Sequence, residues 1–301
     1  MISLKQLTYA IAVSKTLHFK KAAEACSVSQ SALSTALTEM EKQLGFQVFE
    51  RDNKKVLITP LGQEVLAKAQ TIKLHMDDIL KLSESQESPL SYPISIGIIP
   101  TIAPYLLPMV LPALSRDYPK LQLHIEEEQS HVLVDMVRHG DIDTAILALP
   151  FACEGLLSFE FWQEDFYWVT HHDDSLANKS EIAANELEQS KLMLLKEGHC
   201  LKDHALAACK LHSDTQHSLS ATSLNTLIQL VAAKLGSTLV PHMALEQLIS
   251  SNHNLAKAHL NEPGPHRRIA FIVRPNYTAL NNIELLKTLF KRELLMLLPE
   301  H

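Results

Sequence analysis

The residues whose types and spacing best suit chemistry are Cys200 and Cys209, in the stretch that runs from Lys196 through Gly198, His199, Lys202, Asp203 and His204. His204 to Leu211 contains no Gly, Pro or β-branched residue, and Asp203 is a good N-cap, so the middle of the stretch predicts a helix. Nine helical steps of roughly 1.5 Å would part the two Cα atoms by up to about 13 Å, on opposite faces. A disulfide needs them within about 7 Å. The thiols therefore join only if the segment unwinds, which makes it a candidate two-state element. Cys200 precedes a helix N-terminus, where unpaired N–H groups favour thiolate. His199 and Lys202 add to that effect, Asp203 opposes it, and Gly198 leaves the backbone room for a close approach. Two other readings stay open. Both thiols could be small buried hydrophobes. Cys200, His204 and Cys209, with His199 or His212, could hold zinc, although no tight Cys-x2-Cys element is present.

The elements that must position these residues follow from the rest of the chain. At 301 residues, with 46% hydrophobic and 20% charged residues, it suits two or three globular domains. No apolar run approaches the roughly 18 residues that span a bilayer, and the first residues lack a signal peptide's apolar core. Four Cys do not make a disulfide scaffold, so a reducing cytoplasm is expected and any disulfide would be regulatory. Residues 1–62 carry 8 Lys/Arg against 5 Asp/Glu, a net of +3, while the remainder carries 19 against 29, a net of −10. A mildly basic N-terminal segment on an acidic body fits a nucleic-acid module on a regulatory body.

Leu4 to Ser14 has helical spacing, Phe19 to Ala25 forms a second helix, and Ser29 caps a third that Gly45 ends. Two short helices joined by a tight turn make a helix-turn-helix. The third helix offers Gln30, Ser31, Ser34, Thr35 and Thr38 outward, short groups able to reach base edges in a major groove. Segments 47–51 and 55–59 read as two strands of a wing, from which Arg51, Lys54 and Lys55 would meet phosphates. Pro60 begins a helix to about Ser85 whose Leu61, Val65, Ala69, Ile72, Met76 and Ile79 form a narrow coiled-coil seam, predicting a homodimer. Glu84 to Pro93 is a linker.

Beyond it, strands and helices alternate, which predicts a mostly parallel sheet covered by helices. Strands are expected at 94–99, 121–128, 144–149, 166–171, 192–195, 237–240 and 268–274, and helices at 103–118, 132–139, 223–234 and 280–298. Two α/β lobes with crossovers near 162 and 268 account for the order. Ligands in such folds lie beyond strand carboxyl ends and at helix N-termini, where Thr101, Ser130 and Thr222-Ser223 fall.

Phe19-Lys20-Lys21-Ala22-Ala23, Val28-Ser29-Gln30-Ser31-Ala32-Leu33-Ser34 and Leu44-Gly45 through Phe49-Glu50-Arg51 resemble the N-terminal module of LysR-type transcriptional regulators. Thr59-Pro60-Leu61-Gly62 is similar to the start of that family's linker helix, and the resemblance covers essentially the whole chain. Within the family the chain is similar to the OxyR group of hydrogen-peroxide sensors. That likeness is carried by Ile98-Ile99-Pro100-Thr101, Pro104 to Pro108, Gly198-His199-Cys200-Leu201 with Asp203 and Cys209, Ala221-Thr222-Ser223-Leu224, Arg267-Arg268 and Arg274-Pro275. The resemblance implies a winged helix-turn-helix at 1–59, a linker helix at 60–88, and a two-lobed, periplasmic-binding-protein-like α/β regulatory domain at 89–301. Lobe I would take about 89–162 and 269–301, and lobe II about 163–268.

The resemblance also implies that Cys200 is the peroxidatic thiol and Cys209 the resolving one. Thr101, Ser130, His199 and Asp203 would line the peroxide pocket, and Arg267 or Arg268 would favour the thiolate. Lys20, Lys21 and Ser29 would join the DNA-contacting set. Promoter DNA and hydrogen peroxide are the implied partners, with a homotetramer and contact with RNA polymerase. A membrane, a resident cofactor or metal, and enzymatic turnover are not implied. Ser31 stands where the family often has Pro, and Ser130 where peroxide sensors usually have Thr. Two other functions compete with the leading one: a metabolite-sensing LysR regulator that holds a small carboxylate and has inert cysteines, and a thiol-dependent peroxidase.

Overall fold

The computed structural model describes residues 1–52, 55–84, 89–187, 191–210, 220–250 and 252–298. The chain divides into two compact units, Met1–Ser83 and Glu84–His301.

In the first unit, α1 (Leu4–Thr16) opens with a capping box between Ser3 and Gln6. Helix α2 spans Phe19–Ala25 and α3 spans Gln30–Leu44. The Ser29 side chain accepts the Ala32 N–H, and Gly45 closes α3 in the left-handed region at φ +78°, both as the sequence indicates. A core of Tyr9, Val13, Ala22, Leu33, Leu37, Met40, Val48 and Phe49 locks the three helices to the wing. The wing strands β1 (Phe49–Asp52) and β2 (Lys55–Ile58) pair antiparallel. Glu41 anchors them to α3 by accepting the N–H groups of Val48 and Phe49 at 2.9 and 3.0 Å. Thr59 accepts the Gly62 N–H at 2.9 Å and so caps α4 (Pro60–Glu84). Along α4, Ala69 is buried and Val65 half-buried, while Leu61, Ile72, Met76 and Ile79 are exposed.

The second unit follows with β3 (Pro93–Ile98), α5 (Ala103–Asp117), β4 (Gln122–Glu127), α6 (Ser130–His139), β5 (Thr144–Leu149) and β6 (Leu157–Glu164). Next come β7 (Phe166–His171), β8 (Glu181–Ile182), α7 (Ala184–Leu187), β9 (Leu192–Leu195) and α8 (Cys200–Ala208). The chain ends through β10 (Ser220–Ala221), α9 (Leu224–Ala232), β11 (Ser237–Pro241), α10 (His242–Ile249), β12 (Leu255–Leu260), β13 (Arg267–Val273) and α11 (Leu280–Leu297). Two sheets result, β4-β3-β5-β13-β6 and β10-β9-β11-β7-β12-β8, and their side chains belong to one continuous hydrophobic core.

Among the described residues of the second unit five of nine strand pairings are parallel, including β9 with β10 and β11 and β8 with β12, and four are antiparallel, so the sheets are mixed with a parallel majority of pairings. Strand β3 runs parallel to β4 and β5, but β13 runs antiparallel to both β5 and β6, and β7 antiparallel to β11 and β12. The cause is the route of the chain. It leaves the first sheet at Glu164, enters the second one residue later, and comes back through β13, so the returning strand meets β5 head to tail. Strands β6, β8, β10 and β12 were not expected from the sequence. Among the described residues no helix is long and apolar enough to cross a membrane.

Candidate redox site

Strand β9 delivers the chain to one end of its sheet, where the Lys196 N–H donates to the Ala221 carbonyl. Gly198 then turns at φ +93° against the Gln129 side chain, whose Oε1 would lie 2.5 Å from any Cβ placed there. The left-handed backbone is what favours glycine there, since the end of the flexible Gln129 side chain can shift. His199 is the N-cap of α8 and Cys200 its first residue, which corrects the expected start at His204 with Asp203 as the cap. The helix starts earlier because the Gly198 turn, rather than a side-chain cap, sets the entry direction. Cys209 is the C-cap, so the two thiols stand at opposite ends of one two-turn helix, both free.

Both sulfurs are buried, with Cys200 at 4% and Cys209 at 3% exposure. Burial pushes the Cys200 thiol above its ordinary pKa; the Ser130 hydroxyl, the Arg267 guanidinium and the Ala148 main chain pull the other way, and Asp203 reinforces the rise. Burial wins, so the resting group is a thiol rather than the thiolate that the helix N-terminus alone would favour. Cys209 is pushed up to about 12 by burial and by the Glu262 carboxylate.

Arg267 is fully buried and organises the surroundings of Cys200. Its Nε donates to Glu164 Oε1 at 2.9 Å, and Nη2 lies 2.8 Å from the same oxygen. Nη1 donates to Thr101 Oγ1 at 3.2 Å and Nη2 to the Thr101 carbonyl at 3.3 Å. Glu164 Oε2 accepts the Met243 N–H at 2.8 Å, so the pair is hydrogen-bonded on all sides. Ser130 is the first residue of α6, and its buried Oγ has no hydrogen-bond partner of standard geometry. His199 is buried, and burial lowers its pKa.

The structure thus gathers Cys200, Thr101, Ser130 and Arg267, while His199 is placed beside Cys200 by the chain and is buried. It separates Arg268, whose exposed side chain pairs with Glu160 on the opposite face of β13. Adjacent strand residues point to opposite faces, so only one of the two arginines can face inward. Asp203 is exposed on α8 and reaches Cys200 only through its charge. The zinc set does not assemble: among the described residues Cys200, His204 and Cys209 do not converge, and His212 lies outside those residues.

Sequence reasoning missed Glu164, although Trp162 and Glu164 share a strand face and an acid on an apolar face signals a buried partner. It also gave His204 no role beyond zinc. That ring is buried, donates from Nε2 to the Pro150 carbonyl at 3.0 Å, and has an unpartnered Nδ1; burial lowers its pKa.

In the first unit Lys20, Lys21, Ser29, Gln30, Ser31 and Thr35 are exposed on α2, α3 and their turn, Ser34 is half-exposed, and Lys55 is exposed on β2. Lys54 and the Arg51 side chain lie outside the described residues.

Residues 4–63 match the bacterial regulatory helix-turn-helix protein model of the lysR family, and residues 87–295 the LysR substrate binding domain. The HTH-type transcriptional regulator EstR of Acinetobacter baylyi is 38% identical over 96% of both chains. A full-length OxyR variant from Pseudomonas aeruginosa superimposes with a TM-score of 0.79 at 32% identity, covering 97% of this chain and 98% of that one. An H2O2-bound OxyR mutant of Corynebacterium glutamicum gives a TM-score of 0.68 at 34% identity, covering 98% and 94%. With both halves of the chain matched, and with relatives similar over nearly their whole length, this protein belongs to the LysR family of bacterial helix-turn-helix transcriptional regulators.

Proposed function

We propose that the protein is a hydrogen-peroxide-responsive transcriptional regulator in which Cys200 is oxidised and Cys209 resolves it. The observation that carries this reading is the grouping of the Cys200 sulfur with Ser130 and with Arg267, itself bonded to Thr101, while Cys209 waits at the far end of the same helix. Hydroxyls can hold both peroxide oxygens, and the guanidinium favours the developing anion. The Cys200 sulfur attacks one peroxide oxygen as thiolate, the O–O bond breaks, and the departing hydroxide takes a proton to leave as water. Sulfenic acid results. The Cys209 sulfur then displaces the second oxygen as water and the S–S bond forms.

That bond cannot close across an intact α8. Closing a loop of about ten residues stabilises the oxidised form by up to roughly 3 kcal/mol in chain-entropy terms. Unwinding α8 costs a comparable amount, so oxidation can tip a balanced element. The change would reach promoter DNA through the 1–59 module, where Lys20, Lys21, Gln30, Ser31, Ser34, Thr35, Arg51, Lys54 and Lys55 make the contacts. The exposed seam of α4 pairs two chains, and two pairs form the tetramer that engages RNA polymerase. Mass analysis after about one equivalent of peroxide tests the chemistry. Loss of two hydrogens, mapped to the peptide holding Cys200 and Cys209, is expected; an unchanged mass refutes it.

The likeness to EstR and the burial of Cys200 favour a second reading, a regulator that holds a small carboxylate near Thr101 and Ser130 with its cysteines inert. Thermal stabilisation by an organic acid in a protein whose thiols ignore peroxide would establish it.

A further inference from the structure

We propose that His204 is a positioning residue for Cys200: as a neutral ring it fastens α8 to the end of β5, and taking up a proton releases the helix. The link to oxidation rests on the peroxide-sensing function proposed above; the fastening itself does not. His204 stands one helical turn beyond Cys200, so the two side chains share a face of α8. That face meets the end of β5 and the residue that follows it. The Ala148 main chain bonds to Cys200, and the Pro150 carbonyl accepts from His204 Nε2 at 3.0 Å. Strand β5 belongs to one sheet and α8 follows a strand of the other. The His204 hydrogen bond therefore ties the segment that must unwind to the sheet opposite.

A carbonyl oxygen only accepts, so Nε2 carries the proton of the neutral ring and Nδ1 the lone pair. His204 is 4% exposed, and its buried Nδ1 has no hydrogen-bond partner. A second proton at Nδ1 would lie in a desolvated site without an acceptor. Burial is the main reason that the ring titrates below its ordinary 6.5; the Pro150 contact and Asp203 oppose the shift, and Arg267, from β13, adds to it. Strand β9, against which α8 packs, is apolar throughout, as is β5 from Ala145 to Leu149. Once α8 unwinds, the solvated ring returns to a pKa of about 6.5. Release thus takes up a proton, so the fastening has its full strength above about pH 6.5 and weakens as the pH falls below that. Disulfide formation passes two electrons and two protons from the thiols to peroxide, and in acid His204 of the unwound segment takes up one further proton. Acidity therefore favours the oxidised form.

The test has two arms, both on the full chain. In the reduced protein, amide hydrogen exchange, corrected for the intrinsic effect of pH, reads the opening of α8. From about pH 7.5 to about 5.5 the opening constant should rise at least threefold, and up to about tenfold, more in the parent than in His204→Gln. Glutamine keeps an amide donor for Pro150 and does not titrate. In glutathione buffers, the oxidation constant of the Cys200–Cys209 pair should shift by the same factor relative to His204→Gln, tenfold being about 30 mV for a two-electron couple. A flat opening constant in the parent, or an equal response in His204→Gln, overturns the assignment. A reduced-state response without any disulfide supports the fastening and refutes the peroxide function instead.

Discussion

Replacing Arg267 by methionine probes the centre of the redox site. The substitution keeps much of the apolar stem and removes the guanidinium, leaving the Glu164 carboxylate, fully buried, with the Met243 N–H as its remaining hydrogen-bond donor among the described residues. It also strips the Thr101 hydroxyl and carbonyl of their donors at 3.2 and 3.3 Å. Breaking a buried pair by deleting one member costs about 3–5 kcal/mol, most of it from the uncompensated charge left behind. For a unit of this size each kcal/mol lowers the melting temperature by roughly 2–4 °C, so the loss should be about 6–20 °C. Thermal melting followed by circular dichroism reads it directly. The double variant Arg267→Met, Glu164→Leu should regain part of the loss, because neither charge then remains buried. Melting of Arg267→Met within about 2 °C of the parent, or a double variant less stable than both singles, would refute the account.

The other expectations concern the thiols, a turn and the linker helix. Cys200→Ser should abolish the peroxide-dependent change in DNA footprint while leaving DNA binding intact; a variant that still responds discards the mechanism. Because burial raises the Cys200 pKa, alkylation by iodoacetamide should quicken about tenfold per pH unit over the range where the thiol predominates, and a flat profile from pH 6 to 9 would contradict the burial. Both thiols hold their protons longer folded than unfolded. The stability they contribute is therefore complete below about pH 8.5 and is lost as pH rises towards the folded values, about 12 for Cys209. Gly198→Ala meets both a left-handed backbone and the Gln129 side chain, so urea unfolding should show a loss of about 1–3 kcal/mol, whereas parity with the parent would show the turn to be adaptable. Ile72→Glu with Ile79→Glu places charge on the exposed stripe of α4 and should shift sedimentation towards monomer; an unchanged mass would place the interface elsewhere.

The sequence by itself determined the local elements. Apolar periodicity, the Ser29 cap and the Gly45 stop located the three helices and their turn, because those signals lie within one or two turns of the residues they govern. The β7 and β9 spans agree with their apolar runs for the same reason. The Gly-His-Cys stretch with a second Cys nine residues on was legible as a redox candidate through its resemblance to a known group.

What local sequence could not supply were contacts between distant segments. Arg267 and Arg268 are neighbours in the chain and equally charged; only the pairing of β13 with β5 and β6 turned Arg267 towards Glu164 and left Arg268 with Glu160. The antiparallel course of β13 depended on where the chain re-entered the first sheet. The protonation of Cys200 was likewise a tertiary outcome. A helix N-terminus favours thiolate wherever it lies, but the desolvation that opposes it comes from residues far along the chain closing over the sulfur, and in this protein desolvation is the larger effect.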